Sequence, residues 1–279
     1  MNALEITNLC KSYPGFALNN LNLTLPEGCI LGLIGENGAG KSTTIKLLLD
    51  LIQADSGSIR ILGQEHTRLN REDIGVVLDE VGIPECLTAS QVGKVMKNLF
   101  KNWDSSRFEA LLCQFSIPDG KIFKEFSRGM KMKLGIAVAM SHGARLLILD
   151  EATSGLDPVV RDEVVTMLSE FTREEGHSIL ISSHIVSDLE KLCDYIAFIH
   201  EGRLLFCQEK DALLEKYGVV TCTRDQLADL PEEAVVSIRT NEYGAQALVV
   251  KSAISPVFTP ERPLMEDIIL FMVKGGKRV

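Results

Sequence analysis

Residues 35–42 read Gly-Glu-Asn-Gly-Ala-Gly-Lys-Ser, which matches the phosphate-binding loop pattern G-x-x-x-x-G-K-[ST] without departure. The apolar run over residues 29–34 predicts a buried strand before the loop, and residues 42–49 predict a helix after it. In that setting the loop amides and the positive end of the helix dipole converge on phosphate oxygens. We expect Lys41 at the terminal phosphates and the Ser42 hydroxyl on Mg²⁺. The predicted binding residues are Gly35, Asn37, Gly38, Ala39, Gly40, Lys41, Ser42 and Thr43.

The composition narrows the possible classes of protein. The 279 residues carry a net charge of −9, whereas a nucleic-acid-binding protein normally presents a basic face, so we expect no nucleic-acid partner. Seven cysteines are scattered without a C-x-x-C pair, which favours reduced thiols over a zinc site. The first residues lack the pattern of a secretory signal, and no uncharged apolar stretch approaches the ~18 residues of a membrane span.

Strand-like and helix-like segments alternate up to about residue 217, which predicts an α/β fold. Residues 85–145 interrupt this alternation with a helical insert. In the insert, Thr88-Ala-Ser-Gln91 resembles a capping box and Asp104 can cap a second helix. Apolar Val92 and Leu99 recur at helical spacing and are predicted to be core residues of the insert. The other predicted elements are strands at 4–9, 58–63, 73–78, 146–149 and 178–182, a hairpin at 195–207 and a helix at 209–217.

Residues 218–279 are predicted to form a separate appendage. Short strands are expected at 235–238 and 247–250, followed by a helix over 264–273. The tail from Lys274 onward is expected to fray. The chain therefore divides, by prediction, into a domain at 1–217 and a small accessory domain at 218–279.

Two carboxylates follow the apolar strand at residues 146–149. Because ligands bind at the carboxyl ends of parallel strands, Asp150 is expected to lie at the phosphate site. There it can complete a Mg²⁺ shell opposite Ser42. Glu151 is placed to polarise an attacking water.

A further stretch, Phe126-Ser-Arg-Gly-Met-Lys131, precedes that strand. With it the chain resembles the ABC-type ATPases, whose signature usually reads Leu-Ser-Gly-Gly-Gln, and the resemblance covers about residues 3–217. It implies a P-loop NTPase fold with a RecA-like core, an N-terminal antiparallel β part and a helical subdomain at about 85–145. The remaining residues, 218–279, would add a small α+β appendage.

The resemblance implies that the signature of one subunit closes on the ATP bound by the other. The residues concerned are Ser127, Arg128, Gly129 and Met130. Ser127 is also a natural helix N-cap. Two of these positions depart from the pattern, because Arg128 replaces a glycine and Met130 a glutamine. Arg128 either adds positive charge at the phosphate or faces solvent.

Three further positions match the family's site. Asp157, in Ser154-Gly-Leu-Asp157, corresponds to the loop that crosses between subunits, and with Pro158 it is also a good N-cap. His184 matches the histidine that contacts the γ-phosphate, so it is assigned a catalytic role with Glu151. Tyr13 matches the aromatic that stacks on adenine, although a turn tyrosine would look the same. A fourth position departs: Asp79 stands where a metal-contacting glutamine is expected, and its shorter, charged side chain can still contact Mg²⁺.

The resemblance also implies partners and a place in the cell. Two ATP molecules would join two cassettes head to tail, as a homodimer or a heterodimer. Without a membrane span, the chain would work at the cytoplasmic face of the membrane with a separate transmembrane permease. A groove beside the insert, near residues 84–87, would receive a short permease helix. The signature, Asp79 and the stretch 263–268 resemble exporters of antibiotics, bacteriocins and amphipathic peptides.

Other classes fit the chain less well. In a mechanical ATPase of chromosome maintenance, a long coiled coil of hundreds of residues separates the phosphate-binding loop from the signature. Here Lys41 and Ser127 are only 86 residues apart (127 − 41). A translation factor of this type would carry two cassettes. A nucleotide-gated regulatory ATPase with low turnover remains an alternative because of Asp79, Arg128 and Met130, although Glu151 and His184 argue for hydrolysis.

Overall fold

The computed structural model describes residues 1–68, 71–240, 244–255 and 257–276, and of Arg68 and Arg224 it describes the backbone. The chain forms two compact units, Met1–Cys207 and Gln208–Val279. Strands in the first unit are β1 (Asn2–Tyr13), β2 (Phe16–Pro26), β3 (Ile30–Ile34), β4 (Ser56–Ile61), β5 (Gln64–Glu65), β6 (Ile74–Val77), β7 (Leu146–Asp150), β8 (Ser178–Ser183), β9 (Tyr195–His200) and β10 (Arg203–Glu209), which ends just past the boundary. Its helices are α1 (Lys41–Leu48), α2 (Ala89–Leu99), α3 (Ser105–Gln114), α4 (Arg128–Met140), α5 (Pro158–Phe171) and α6 (Val186–Leu192).

An antiparallel sheet opens the first unit, with strand order β2-β1-β4-β5. Leu4 pairs with Leu25 on one side and with Ile61 on the other, and all three side chains are buried. The alternating apolar residues of β1 thus face the core, as a half-buried strand requires. This sheet is the antiparallel β part that the sequence implied.

The central sheet has the order β10-β9-β3-β8-β7-β6. Strand β3 runs parallel to β8 and β9, and β7 runs parallel to β6 and β8. Every residue of β3, β7 and β8 is buried, which explains their almost continuous apolar runs. The carboxyl ends of β3, β6, β7 and β8 therefore meet at one edge, and the predicted α/β class is confirmed.

The insert between β6 and β7 consists of α2, α3 and α4. Thr88 forms the predicted capping box with Gln91, and the Asp104 side chain accepts from the Arg107 amide. Val92 is buried, but Leu99 is 67% exposed. The expectation that both belong to the core is therefore wrong for Leu99, because it lies in the last turn of α2, where its face of the helix is uncovered.

The second unit has a three-stranded antiparallel sheet of order β11-β13-β12. Its strands are β11 (Tyr217–Cys222), β12 (Val235–Thr240) and β13 (Ala245–Val250), and its helices are α7 (Lys210–Lys216), α8 (Arg224–Ala228) and α9 (Met265–Lys274). The second unit has its own hydrophobic core, which includes Val220, Ala247 and Val249. The unit begins ten residues before the predicted boundary, since α7 contacts β11.

The expectation that the tail from Lys274 onward frays is wrong for Gly275 and Gly276. Gly276 exchanges backbone hydrogen bonds with Ile238 at 3.0 and 3.1 Å, and the Gly275 amide donates to Phe271. Residues 277–279 lie outside the described part of the chain. Within the described ranges, no helix combines the length and apolar character needed to cross a bilayer.

Candidate active site

A cavity of about 730 Å³ lies at the carboxyl edge of the central sheet. The phosphate-binding loop and the start of α1 form one wall, while the ends of β6, β7 and β8 contribute side chains to the others. This is where a doubly wound sheet binds its ligand. The lining residues are Gly15, Phe16, Glu36, Asn37, Gly38, Gly40, Lys41, Ser42, Thr43, Asp79, Arg128, Glu151, Ser154 and His184.

Glycine is required in the loop for packing as well as for access to a ligand. Gly40, the N-cap of α1, has φ +117°, and a Cβ there would lie 3.1 Å from Phe16 and Leu18. A Cβ on Gly35 would lie 2.6 Å from the Ile199 carbonyl oxygen. Among the described residues, no side chain caps α1, so its first amides remain available to an anion.

Lys41 folds back over the loop from the first position of α1. Its side chain is 5% exposed, and Nζ donates to the carbonyl oxygens of Gly35 at 2.7 Å and Glu36 at 3.3 Å. Nζ also lies 3.3 Å from Oε1 of Glu151. The ammonium group is thereby fixed at the cavity wall, where it can meet a terminal phosphate.

Glu151 contacts several other residues of the site. Its backbone has φ +54°, a left-handed conformation uncommon for a non-glycine residue, and its amide donates to the carbonyl and hydroxyl oxygens of Ser182, both at 3.1 Å. Oε2 lies 2.7 Å from Nδ1 of His184, while Oε1 faces Lys41. The structure therefore joins three predicted residues in one chain of contacts. A carboxylate held in this way can orient and polarise a water.

Asp150, the residue before Glu151, is buried. The Ser182 hydroxyl donates to its Oδ1 at 2.5 Å, so β8 holds the carboxylate at the end of β7. In the described residues, no group of three or more His, Cys, Asp or Glu is arranged to hold a metal. That finding is compatible with Mg²⁺, which usually takes one or two carboxylates and completes its shell with phosphates and waters. Ser42 and Asp150 are oxygen donors of the required kind.

Two of the predicted binding residues act as helix caps. The Ser127 hydroxyl accepts from the Met130 amide at 3.2 Å, and the Asp157 carboxylate accepts from the Val160 amide at 3.1 Å. The two helices meet at Gly129, where a Cβ would lie 3.0 Å from Val160. Ser127, Gly129, Met130 and Asp157 lie outside the lining of the cavity in this single chain.

Arg128 and Asp79 form an ion pair that the sequence did not reveal. Nη2 of Arg128 lies 2.7 Å from Oδ1 of Asp79, and both side chains are about half exposed. Arg128 thus lines the cavity and keeps access to solvent, so neither of its two predicted roles describes it fully.

Some residues that line the cavity were not predicted from the sequence as site residues. Tyr13, predicted to stack on adenine, is 42% exposed with Lys11 over its ring, and Phe16, its partner in the β1–β2 register, lines the cavity. Glu36 and Ser154 also line the cavity. Each lies within a motif identified from the sequence, but other residues of that motif were the ones predicted to bind. Ser182 could have been found by asking which polar side chain ends the strand next to Asp150.

The chain is similar to known proteins along most of its length. Residues 18–154 match the family model described as ABC transporter. The lantibiotic transport ATP-binding protein SrtF of Streptococcus pyogenes is 41% identical over 75% of this chain and 91% of its own. The bacitracin transport ATP-binding protein BcrA of Enterococcus faecalis is 36% identical over 72% and 68%, respectively. A solved ATP-binding subunit of an ABC transporter superposes with a TM-score of 0.69 at 28% identity, over 76% of this chain and 91% of that one.

Proposed function

Because the chain belongs to the ATP-binding subunits of ABC transporters, we propose that its cavity binds Mg-ATP and that Glu151 and His184 carry the hydrolysis. The observation that supports this most directly is the position of Glu151 between Lys41 and His184. One carboxylate there touches both the phosphate-binding lysine and the histidine that the family pattern assigns to the γ-phosphate.

The contacts suggest an order of events. A triphosphate entering the cavity competes with Glu151 for Lys41, because the two are only 3.3 Å apart and phosphate carries more negative charge. Glu151 is then free to orient a water, with His184 holding its other oxygen. When bound, Mg²⁺ at Ser42 and Asp150 would neutralise charge on the phosphate oxygens. Ser182 keeps Asp150 in place throughout.

We further propose that the site is completed by a second ATP-binding subunit. Ser127, Gly129, Met130 and Asp157 would face the nucleotide of that partner, in a head-to-tail arrangement with two-fold symmetry, whereas Arg128 of the same signature lines the cavity of its own chain. Their position at the N-terminal turns of α4 and α5 suits this role, since helix N-termini attract anions. Either a second copy of this chain or a related cassette can fill the place.

A transmembrane permease is the proposed second partner, which would hold the chain at the cytoplasmic face of the membrane. A groove of about 530 Å³ beside the insert has an apolar floor and a charged rim, suited to an amphipathic helix. Its floor includes Ile83, Phe123, Phe126 and Met132, and its rim includes Glu80, Glu85 and Lys131. The relatives SrtF and BcrA are named for lantibiotic and bacitracin transport, which supports export of peptides or antimicrobial compounds. From the sequence, residues 1–217 would form the ATPase domain and 218–279 the accessory domain, and the two compact units support moving that boundary to residue 208.

The first experiment compares the purified protein with Glu151→Gln. Wild-type protein should release phosphate from Mg-ATP, and the variant should lose about 10²- to 10⁴-fold in rate because the water is no longer polarised. The variant should also shift from monomer to dimer by light scattering when Mg-ATP is added. Glu109→Gln removes an exposed carboxylate of α3 outside the cavity and should leave both readings unchanged.

The outcomes separate the two candidate functions. An equal hydrolysis rate in wild type and Glu151→Gln would support the regulatory alternative with low turnover. A variant that binds ATP but stays monomeric would rule out self-pairing and require a second cassette or the permease.

A further inference from the structure

Asp79 and Arg128, both departures from the family pattern, touch each other. Asp79 follows β6 by two residues, and Arg128 is the first residue of α4. Their side chains meet at 2.7 Å, and both line the 730 Å³ cavity. The two departures are therefore one local arrangement rather than two unrelated changes.

The charge of the cavity makes this contact important. Glu36, Asp79 and Glu151 bring three carboxylates to the lining, against the cations Lys41 and Arg128. A triphosphate adds several more negative charges in the same space. Without Arg128, Asp79 would be an uncompensated negative charge facing the ligand, and like charges at this range oppose binding.

The position of Arg128 is held from a second side. A Cβ built on Gly155 would lie 3.2 Å from Cζ of Arg128, so the guanidinium rests against the backbone of the loop after β7. The ion pair consequently spans from the end of β6 to that loop. Asp79 and Arg128 also line the 530 Å³ groove, so the pair forms a wall shared by the cavity and the groove.

The pair has little to do with holding the fold together. Its side chains are 52% and 54% exposed, and ion pairs at such exposure add little to the free energy of unfolding. Its main consequence is electrostatic, at the mouth of the cavity.

We propose that Arg128 is a positioning residue that neutralises Asp79, so that an acidic side chain can stand beside the triphosphate without weakening its binding. Oδ1 of Asp79 is engaged by the guanidinium, and the pair as a whole presents no net charge to the nucleotide. This inference rests on the proposed binding of ATP in the cavity.

The test is a double-mutant cycle on the full chain, with ATP affinity measured by calorimetry. Arg128→Gln should weaken ATP binding about fivefold, because Asp79 loses its counter-charge. Asp79→Asn should bind at least as tightly as wild type. The double variant should regain wild-type affinity to within about twofold, and the defect of Arg128→Gln should shrink in 1 M salt.

Arg107→Gln is the matched control. It removes the same charge from a partly exposed ion pair, with Glu174, that lies outside both the cavity and the groove, so ATP affinity should stay within about twofold of wild type. Unchanged melting temperatures of all variants would show that folding is intact.

Each other result overturns the inference in a recognisable way. If the double variant binds as weakly as Arg128→Gln, the arginine contacts phosphate itself and does not act through Asp79. A loss of affinity in Asp79→Asn that is seen with Mg²⁺ but not in EDTA would assign Asp79 to metal binding instead of charge compensation. Failure of the wild-type protein to bind ATP would reject the proposed function before the pair is tested.

Discussion

At the scale of single residues, the site depends on side chains that fix other side chains. Ser182 is the clearest case, since its hydroxyl donates to Asp150 and accepts from the Glu151 amide. One buried serine therefore positions the predicted metal ligand and the predicted catalytic carboxylate together. Partners of this kind orient ligands, and their loss is felt in metal affinity and rate.

Replacing Ser182 with alanine should lower kcat/KM for Mg-ATP by about tenfold and raise the Mg²⁺ concentration needed for half-maximal activity. Steady-state phosphate release at a series of Mg²⁺ concentrations measures both effects. Ser178→Ala is the control, because Ser178 is also buried in β8 but accepts from the Gly28 amide. Both variants should lose about 1 kcal/mol of stability, and equal losses of activity would refute the special role of Ser182.

At the scale of elements, helix starts serve structure and ligand binding together. Helices α3, α4 and α5 each begin with a side chain that accepts from the third amide of the helix. Asp104 has only this capping role in our interpretation, whereas Ser127 and Asp157 are also proposed to face a partner's nucleotide. The same local sequence preference therefore underlies both kinds of helix start.

A pair of matched variants distinguishes capping from contact across the dimer. Asp157→Ala and Asp104→Ala should each cost about 1 kcal/mol in unfolding free energy, measured by urea denaturation. We expect ATPase activity and the ATP-induced mass shift to fall in Asp157→Ala alone. If both variants kept full activity, Asp157 would be a cap and no more.

At the scale of the whole molecule, the two units have separate cores. Every residue that lines the cavity comes from the first 184 residues, within the first unit. In the second unit, α7 buries Leu213 and Leu214, and the carbonyl oxygen of Leu214 accepts from Lys251 at 3.2 Å. Helix α7 thus belongs with the second unit, although its sequence continues the α/β alternation.

The end of the ATPase domain can be found by truncation. A chain ending at Glu209, the last residue of β10, should stay monodisperse and bind ATP. A chain ending at Tyr217 keeps α7 without its cover, so Leu213 and Leu214 become exposed and we expect association in size-exclusion chromatography. If the chain ending at Tyr217 stayed monodisperse and the chain ending at Glu209 associated, the boundary after residue 217 would be favoured instead.

The amino-acid sequence alone determined what depends on neighbours along the chain. The loop at residues 35–42, the apolar strand before Asp150, the capping box at Thr88 and the order of motifs are local patterns. Local hydrogen bonding and periodicity determine such features, so they can be read without a structure. Together they suffice for the fold class and the family.

Only the tertiary structure decided which distant side chains meet. Arg128 reaches Asp79 because the first turn of α4 packs beside the end of β6, and Ser182 reaches Asp150 because β8 pairs with β7 in one register. Exposure of Leu99 was also decided there, since helical spacing says which residues share a face but not what covers it. Such contacts join residues far apart in sequence, and long-range packing, which no local pattern encodes, brings them together.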